Sequence, residues 1–597
     1  MKAIKESKLF KGVPASPGIV IGRAVVLQKD KLDIKPIPIS PNYVPKEIHD
    51  FKQAIDRVKK DLDNLAESVG KRLGLEYARI FEAQAMIADD QVINAKVIEL
   101  IEAKQLQAAY LYYQQIDIVV KHLSKSSDPY LKDRILDINS VCTRLISVLQ
   151  GAKKSAVEDI GGPIVVIARY LSPGDLLGFS VRKKVGFAME LGGVTSHTSL
   201  LAKSLGLPAV VGIVSGLETI NTGDRVIIDG YTGKLIINPE VEIIKDFKHR
   251  QQTLADLNTD LAVIKDEPAI TRDGHRILVY NNIELPAETN RVLKSGAEGI
   301  GLYRTEYLFL TDDVIPDFDK QYRAYKSILQ KMNGAPVLIR TFDLGGDKFS
   351  VDSGQTVDPN PFLGWRAIRF CLDHPAIFKI QLKALLKSSI HGKLGIMLPM
   401  ISNLDEIRQT KRLIDECKTE LTAENIEFQA NIPLGIMIEV PSAVMIAEHL
   451  AKEVDFFSIG TNDLIQYVLA VDRTNKLLTK LYQSFHPAVL SMIDQTIKAG
   501  HKYKIKVGLC GELSSNPYAI ILLAGMGIDE LSTSYVSTSL VKRIIRDIDF
   551  TRARELAEKA RRMKTASEVE TYLEKEVRIS FPDLIPLIDF IKGENND

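Results

Sequence analysis

The segment Gly192-Gly193-Val194-Thr195-Ser196-His197-Thr198-Ser199 runs into Leu200-Leu201-Ala202-Lys203-Ser204-Leu205, so a glycine turn and a cluster of hydroxyls enter an amphipathic helix with His197 at its start. Unpaired backbone N–H groups and the positive dipole end of a helix oppose imidazolium there and favour an anion. The pattern therefore predicts a neutral, nucleophilic ring whose phosphoryl adduct is stabilised. The competing pattern is plainer: Thr195 or Ser196 caps the helix and His197 packs. Zinc ligation fails for want of a second His or Cys at ligand spacing.

Arginines recur in three later stretches: Gly301-Leu302-Tyr303-Arg304-Thr305-Glu306, Ile339-Arg340-Thr341-Phe342-Asp343 and Gly364-Trp365-Arg366-Ala367-Ile368-Arg369. Each alone is compatible with a surface ion pair, but brought to one place they imply an anionic substrate, because the guanidinium fork matches carboxylate and phosphate oxygens. Ile436-Met437-Ile438-Glu439 ends an apolar run in a carboxylate, and Ser458-Ile459-Gly460-Thr461-Asn462-Asp463 ends another in an amide and a carboxylate. Two such carboxylates invite Mg²⁺, although Asp463 could equally cap the following helix. Arg473 offers a further phosphate contact. Cys510, in Gly508-Leu509-Cys510-Gly511-Glu512, is either a packing residue or a thiol able to protonate an enolate carbon.

The elements that must position these residues can be read from periodicity. Beyond Thr271, eight short apolar runs at 277–283, 298–303, 336–342, 393–400, 433–440, 455–460, 506–510 and 528–532 alternate with helical patterns. A (β/α)8 barrel is expected, with an open doubly wound sheet as competitor. The barrel is favoured because Arg304, Arg340, Glu439, Asn462, Asp463 and Cys510 stand at the ends of these runs, where barrel strands converge on one mouth. Upstream, Gly12 to Leu27 reads as turn then strand, and Pro45 to Gly151 as helices over Lys46–Leu73, Tyr77–Glu102 and Ala108–Ser124. Strands return at Pro163–Ala168, Lys184–Met189, Ala209–Val214, Arg225–Ile228 and Lys234–Ile237. The helices thus look inserted into an α/β domain, and a charged helical stretch, 241–263, would connect it to the barrel.

At 597 residues the chain should form three or four domains. Its 77 basic and 76 acidic side chains give no field favouring nucleic acid or membrane. No run has the length of a membrane span and no signal segment is evident, so a cytoplasmic protein is expected. Cys142, Cys371, Cys417 and Cys510 are too scattered for a disulfide framework or a paired metal site.

Taken together, the Gly-Gly-x-Thr-Ser-His stretch, Leu-Tyr-Arg-Thr-Glu, Gly-Gly-Asp-Lys at 345–348, Gly-Trp-Arg-Ala-Ile-Arg, Phe-Phe-Ser-Ile-Gly-Thr-Asn-Asp-Leu at 456–464 and Cys-Gly-Glu-Leu make the chain resemble Enzyme I of the bacterial phosphotransferase system over essentially its whole length. The resemblance implies that His197 takes the phosphoryl group of phosphoenolpyruvate and passes it to a histidine of the small carrier protein HPr, the first step of that system. Arg304, Arg340, Arg366, Asn462, Asp463 and Arg473 would bind substrate, Glu439 and Asp463 would hold Mg²⁺, and Cys510 would protonate the enolate to pyruvate. It also implies a swivelling phosphohistidine α/β domain (1–30 and 152–240), an inserted helical carrier-binding domain (31–151), a helical linker with a hinge (241–268), and a barrel (269–597) that binds phosphoenolpyruvate and dimerises. Met86, Ile87, Tyr130, Leu131 and Arg134 match the family's carrier-docking surface.

Some positions depart from the family pattern. Val194 and Lys203 replace arginines, and lysine keeps the charge but loses the fork. Leu176 stands where a threonine is usual, and 88–92 is less acidic than the docking surface often is, which points to a variant HPr. Pyruvate phosphate dikinase and phosphoenolpyruvate synthase share the histidine domain and barrel but need an ATP-binding domain for which the chain has no room. The sensor domain that precedes the nitrogen-related branch is not expected either. A phosphoenolpyruvate-sensing regulatory protein is the alternative from a different class, and it would tolerate a broken mouth.

Overall fold

The computed structural model describes residues 7–27, 34–73, 75–124, 129–151, 161–171, 173–180, 182, 184–191, 197–213, 216–310, 317–344, 360–473, 475, 477–585 and 588. The chain divides into two compact units, Met1–Ala255 with Phe590–Asp597, and Asp256–Asp589. No helix among the described residues is long and apolar enough to cross a membrane.

The first unit carries an eight-stranded sheet: β1 (Lys8–Lys11), β2 (Val13–Ser16), β3 (Ile19–Leu27), β4 (Ile164–Ala168), β5 (Val185–Met189), β6 (Ala209–Val211), β7 (Arg225–Asp229) and β8 (Lys234–Ile237), in the order β1-β8-β7-β3-β4-β5-β6-β2. The strands β3 to β6 pair in parallel. Ile-Val-Val-Ile-Ala of β4 and Val-Gly-Phe-Ala-Met of β5 are buried at every residue, as strands covered on both faces must be. The strand β1 had no sequence signal, since Lys-Leu-Phe-Lys lacks an alternating pattern; it is recruited to the sheet edge by pairing with β8.

Between β3 and β4 the chain forms helices Val44–Leu73, Leu75–Ala88, Gln91–Lys104, Ala108–Leu123 and Pro129–Leu149. The single helix expected over Tyr77–Glu102 is therefore two. The break lies at Asp90, whose carboxylate accepts the Val92 and Ile93 N–H groups at 2.9 and 3.0 Å and starts a new helix. Helix Val241–Ile264 lays Ile244 and Phe247 on Ile19, Ile227 and Ile236, and Arg250 pairs with the fully buried Asp229 at 3.1 Å.

In the second unit all eight expected runs are strands: β9 (Leu278–Ile283), β10 (Ile300–Tyr303), β11 (Val337–Arg340), β12 (Leu394–Leu398), β13 (Leu434–Ile438), β14 (Phe456–Ile459), β15 (Lys506–Leu509) and β16 (Glu530–Thr533). They close into a parallel barrel, β16 pairing back onto β9 through Glu530↔Leu278 to Thr533↔Asn281. The open sheet is thereby excluded. Leu302, Met397, Met437, Phe456 and Cys510 meet as one cluster of the core.

Candidate active site

Because the barrel is closed and parallel, the residues that end its strands are gathered on one rim whatever their distance in sequence. Arg340, the last residue of β11, is nearly buried. It donates to Glu306 Oε1 at 3.0 Å and its Nη1 lies 2.8 Å from Asp343 Oδ2. Arg366 meets the other oxygen of Asp343 at 2.5 Å and Asp463 Oδ2 at 3.7 Å; Arg473 reaches Asp463 Oδ1 at 3.4 Å. A chain of alternating charges, Glu306–Arg340–Asp343–Arg366–Asp463–Arg473, thus follows the rim. Arg304 stands beside it, paired with Glu284 at 2.6 Å.

The other expected residues fall on the same rim. Glu439 follows β13, is buried, and accepts the Met400 N–H at 2.7 Å. Asn462 accepts the Glu512 N–H at 3.0 Å, joining the turn after β14 to the turn after β15. Cys510 is buried, its thiol 3.8 Å from the Ile459 carbonyl. Gly511 beside it is required by close approach: a Cβ there would collide with Thr461.

Burial sets the electrostatics. It pushes the Glu439 carboxyl up to about 8, with the neighbouring Asp463 and Asp343 carboxylates adding to the effect and Arg340 opposing it. For Asp343 burial acts in the same direction, but Arg340 and Arg366 outweigh it and hold the carboxyl below its usual range. The Cys510 thiol is pushed up to about 11, chiefly by burial, so it keeps its proton at neutral pH. Two observations fit a divalent cation at this rim. The Asp463 carboxylate raises the cost of ionising Glu439, and Asp463 Oδ1 is buried and accepts no hydrogen bond among the described residues, with the Arg473 guanidinium 3.4 Å away. No group of three or more His, Cys, Asp or Glu suited to a metal occurs among the described residues; one or two carboxylates, the donor type Glu439 and Asp463 provide, are what Mg²⁺ takes when substrate oxygens complete its shell.

His197 begins helix His197–Leu205 in the first unit, where Thr198 anchors the first turn by donating to the Leu171 carbonyl at 3.0 Å. Its ring, residues 192–196 with Val194, and residues 345–348 lie outside the described residues. Leu176 is fully buried among Val166, Phe187 and Ala202, so the position usually occupied by a threonine is core here; Lys203 is exposed. Met86 is 76% exposed and Ile87 half-buried at the end of helix Leu75–Ala88. Tyr130, Leu131 and Arg134 open helix Pro129–Leu149, and their side chains lie outside the described residues.

Sequence reasoning passed over Glu306 and Asp343, the anions that hold the arginines apart. Asp343 carried a usable signal: it lies three residues after Arg340 at a strand end.

Three family descriptions match the chain: PEP-utilising enzyme, N-terminal, over residues 11–134; PEP-utilising enzyme, mobile domain, over 161–233; and PEP-utilising enzyme, PEP-binding domain, over 258–550. The phosphoenolpyruvate-protein phosphotransferase of Haemophilus influenzae is 39% identical over 567 residues, covering 95% of this chain and 99% of that one. Those of Mycoplasma capricolum and Staphylococcus carnosus are 38% and 36% identical, each covering 95% of this chain and 99% of their own. With identity at this level over nearly the whole of each protein, the chain belongs to the phosphoenolpyruvate-protein phosphotransferase family.

Proposed function

We propose that this protein transfers the phosphoryl group of phosphoenolpyruvate to His197 and from there to a histidine of an HPr-type carrier, releasing pyruvate as the first step of a phosphotransferase system. The observation that carries the reading is the run of arginines and carboxylates along one barrel rim, with a buried, protonated thiol on the same rim. Arg304, Arg340, Arg366, Asn462 and Arg473 bind the phosphate and carboxylate of the substrate. Glu439 and Asp463 hold Mg²⁺, which when bound neutralises charge on the transferring phosphoryl oxygens.

A ring nitrogen of His197 forms a bond to phosphorus as the bond from phosphorus to the enol oxygen breaks, leaving its electron pair on an enolate. Cys510 then gives its proton to the enolate carbon, yielding pyruvate and a thiolate that solvent reprotonates. A thiol held near 11 suits this order of events, since it donates only to a strongly basic carbon.

The wider division follows the same reading: a phosphohistidine domain from 1–30 and 152–240, a carrier-binding domain at 31–151, a linker at 241–268, and a barrel at 269–597 that pairs with a second copy. The exposure of Met86 beside Ile87 supports carrier docking there, with Tyr130, Leu131 and Arg134 alongside. Incubation with radiolabelled phosphoenolpyruvate and Mg²⁺ is expected to give an acid-labile label on the protein that His197→Ala abolishes. Undiminished labelling of His197→Ala would sink the assignment.

A further inference from the structure

Tyr467 lies on helix Thr461–Leu469, four residues after Asp463, so the two side chains share one helix face. Its hydroxyl donates to the Phe362 carbonyl at 2.6 Å and lies 3.6 Å from Met400 Sδ. Both contacts lead directly to the rim. The Phe362 ring stands 5.8 Å from the Arg366 guanidinium carbon and 5.9 Å from that of Arg473, the two arginines that meet on Asp463. The Met400 N–H is the donor to Glu439, and Met400 is held at φ +57°, the left-handed region that a side chain of its size seldom adopts.

Phe362 belongs to a turn, Asn360–Gly364, with no strand or helix of its own to fix it. That turn is held internally by Leu363 N–H on the Asn360 carbonyl at 2.9 Å and by Arg369 donating to the Leu363 and Gly364 carbonyls at 3.0 and 3.1 Å. The Tyr467 bond ties the same turn to the helix that carries Asp463. On the other side of Arg366, Ala367 sits at φ +53°, a second strained residue whose N–H is taken by the Leu344 carbonyl at 3.1 Å. The guanidinium of Arg366 is therefore placed by a backbone under strain on one side and by a tethered aromatic ring on the other.

We infer that Tyr467 is a positioning residue for substrate binding: its hydroxyl fixes the Phe362 turn, and the Phe362 ring in turn sets the spacing of Arg366 and Arg473. The inference rests on the reading of the rim as the phosphoenolpyruvate site.

Tyr467→Phe removes the hydroxyl and keeps the ring. It is expected to raise KM for phosphoenolpyruvate about tenfold while kcat stays within about twofold, the pattern of an interaction that binds ground and transition states alike. Phe362→Leu, which keeps the carbonyl but removes the ring, should act in the same direction. The double variant should be no worse than the worse single one, because the two residues act in series. An unchanged KM in Tyr467→Phe, a fall in kcat at constant KM, or additive effects in the double variant would overturn the inference. Arg366→Lys and Arg473→Lys, assayed in parallel, separate the two levels. If they raise KM while Tyr467→Phe does not, the Tyr467 role alone is lost; if neither raises KM, the rim is not the phosphoenolpyruvate site and the inference goes with it.

Discussion

At the mouth of the barrel, Arg340, Asp343, Arg366 and Asp463 answer one another in a line, each charge meeting the next side chain. At the opposite end, buried charge is handled differently. Lys542, 1% exposed, gives its three protons to the carbonyls of Lys265, Glu267 and Gly296 at 2.6, 2.9 and 2.6 Å, meeting backbone rather than a carboxylate. Glu530, the first residue of β16, lies against Gly301 and Gly508, and burial pushes its carboxyl up to about 8, opposed by Lys506. At the mouth, Arg340 and Arg366 hold the Asp343 carboxyl below its usual range, although burial pushes the neighbouring Glu439 up. The base saturates one charge with hydrogen bonds and favours neutrality in the other. Fixed guanidinium charge matches phosphate and carboxylate oxygens, whereas Lys542 at the base ties the barrel to the residues that precede β9.

The largest effects are expected at the mouth. Arg340→Leu leaves Glu306 and Asp343 buried without their shared cation, which should cost about 3–5 kcal/mol of stability as well as abolish phosphorylation by phosphoenolpyruvate. Denaturant unfolding and a labelling assay check the two effects. Next in size, Cys510→Ala should slow pyruvate formation about 10²-fold without weakening substrate binding, because it removes the proton donor and no binding charge; steady-state kinetics and a binding titration separate the two. At the base, Lys542→Met leaves three carbonyls without their donor and should lower stability by about 2–3 kcal/mol at unchanged KM. A shift in the urea midpoint reads this, and a changed KM would mean the two ends are not independent.

The smallest effect concerns pH. The folded carboxyl of Glu530 titrates above its unfolded counterpart, so its contribution is fully present below about 4.5 and is lost as pH rises through about 8. Glu530→Gln should therefore flatten the decline in stability over that window, and melting temperatures measured across it would show whether it does.

Much of this was legible in the sequence. All eight apolar runs became barrel strands, and Arg304, Arg340, Glu439, Asn462, Asp463 and Cys510, placed at strand ends by pattern alone, do stand together on the rim. Periodicity reports burial, and strands buried on both faces leave a strong mark. It was less informative about breaks: the pause at Asp89–Asp90 turns one expected helix into two, because a single capping carboxylate outweighs a continuous apolar pattern.

Residue types and order by themselves pointed to a barrel whose strand ends carry arginines and carboxylates, and to a histidine at the start of a separate helix. Only the tertiary structure decided which charge answers which. Asp343 bridging Arg340 and Arg366, and Tyr467 reaching Phe362 across 105 residues, depend on closure of the barrel and on the path of the turns that leave it. The strength of a charge pair varies with separation and with exclusion of water, and neither quantity is written in the linear order of residues.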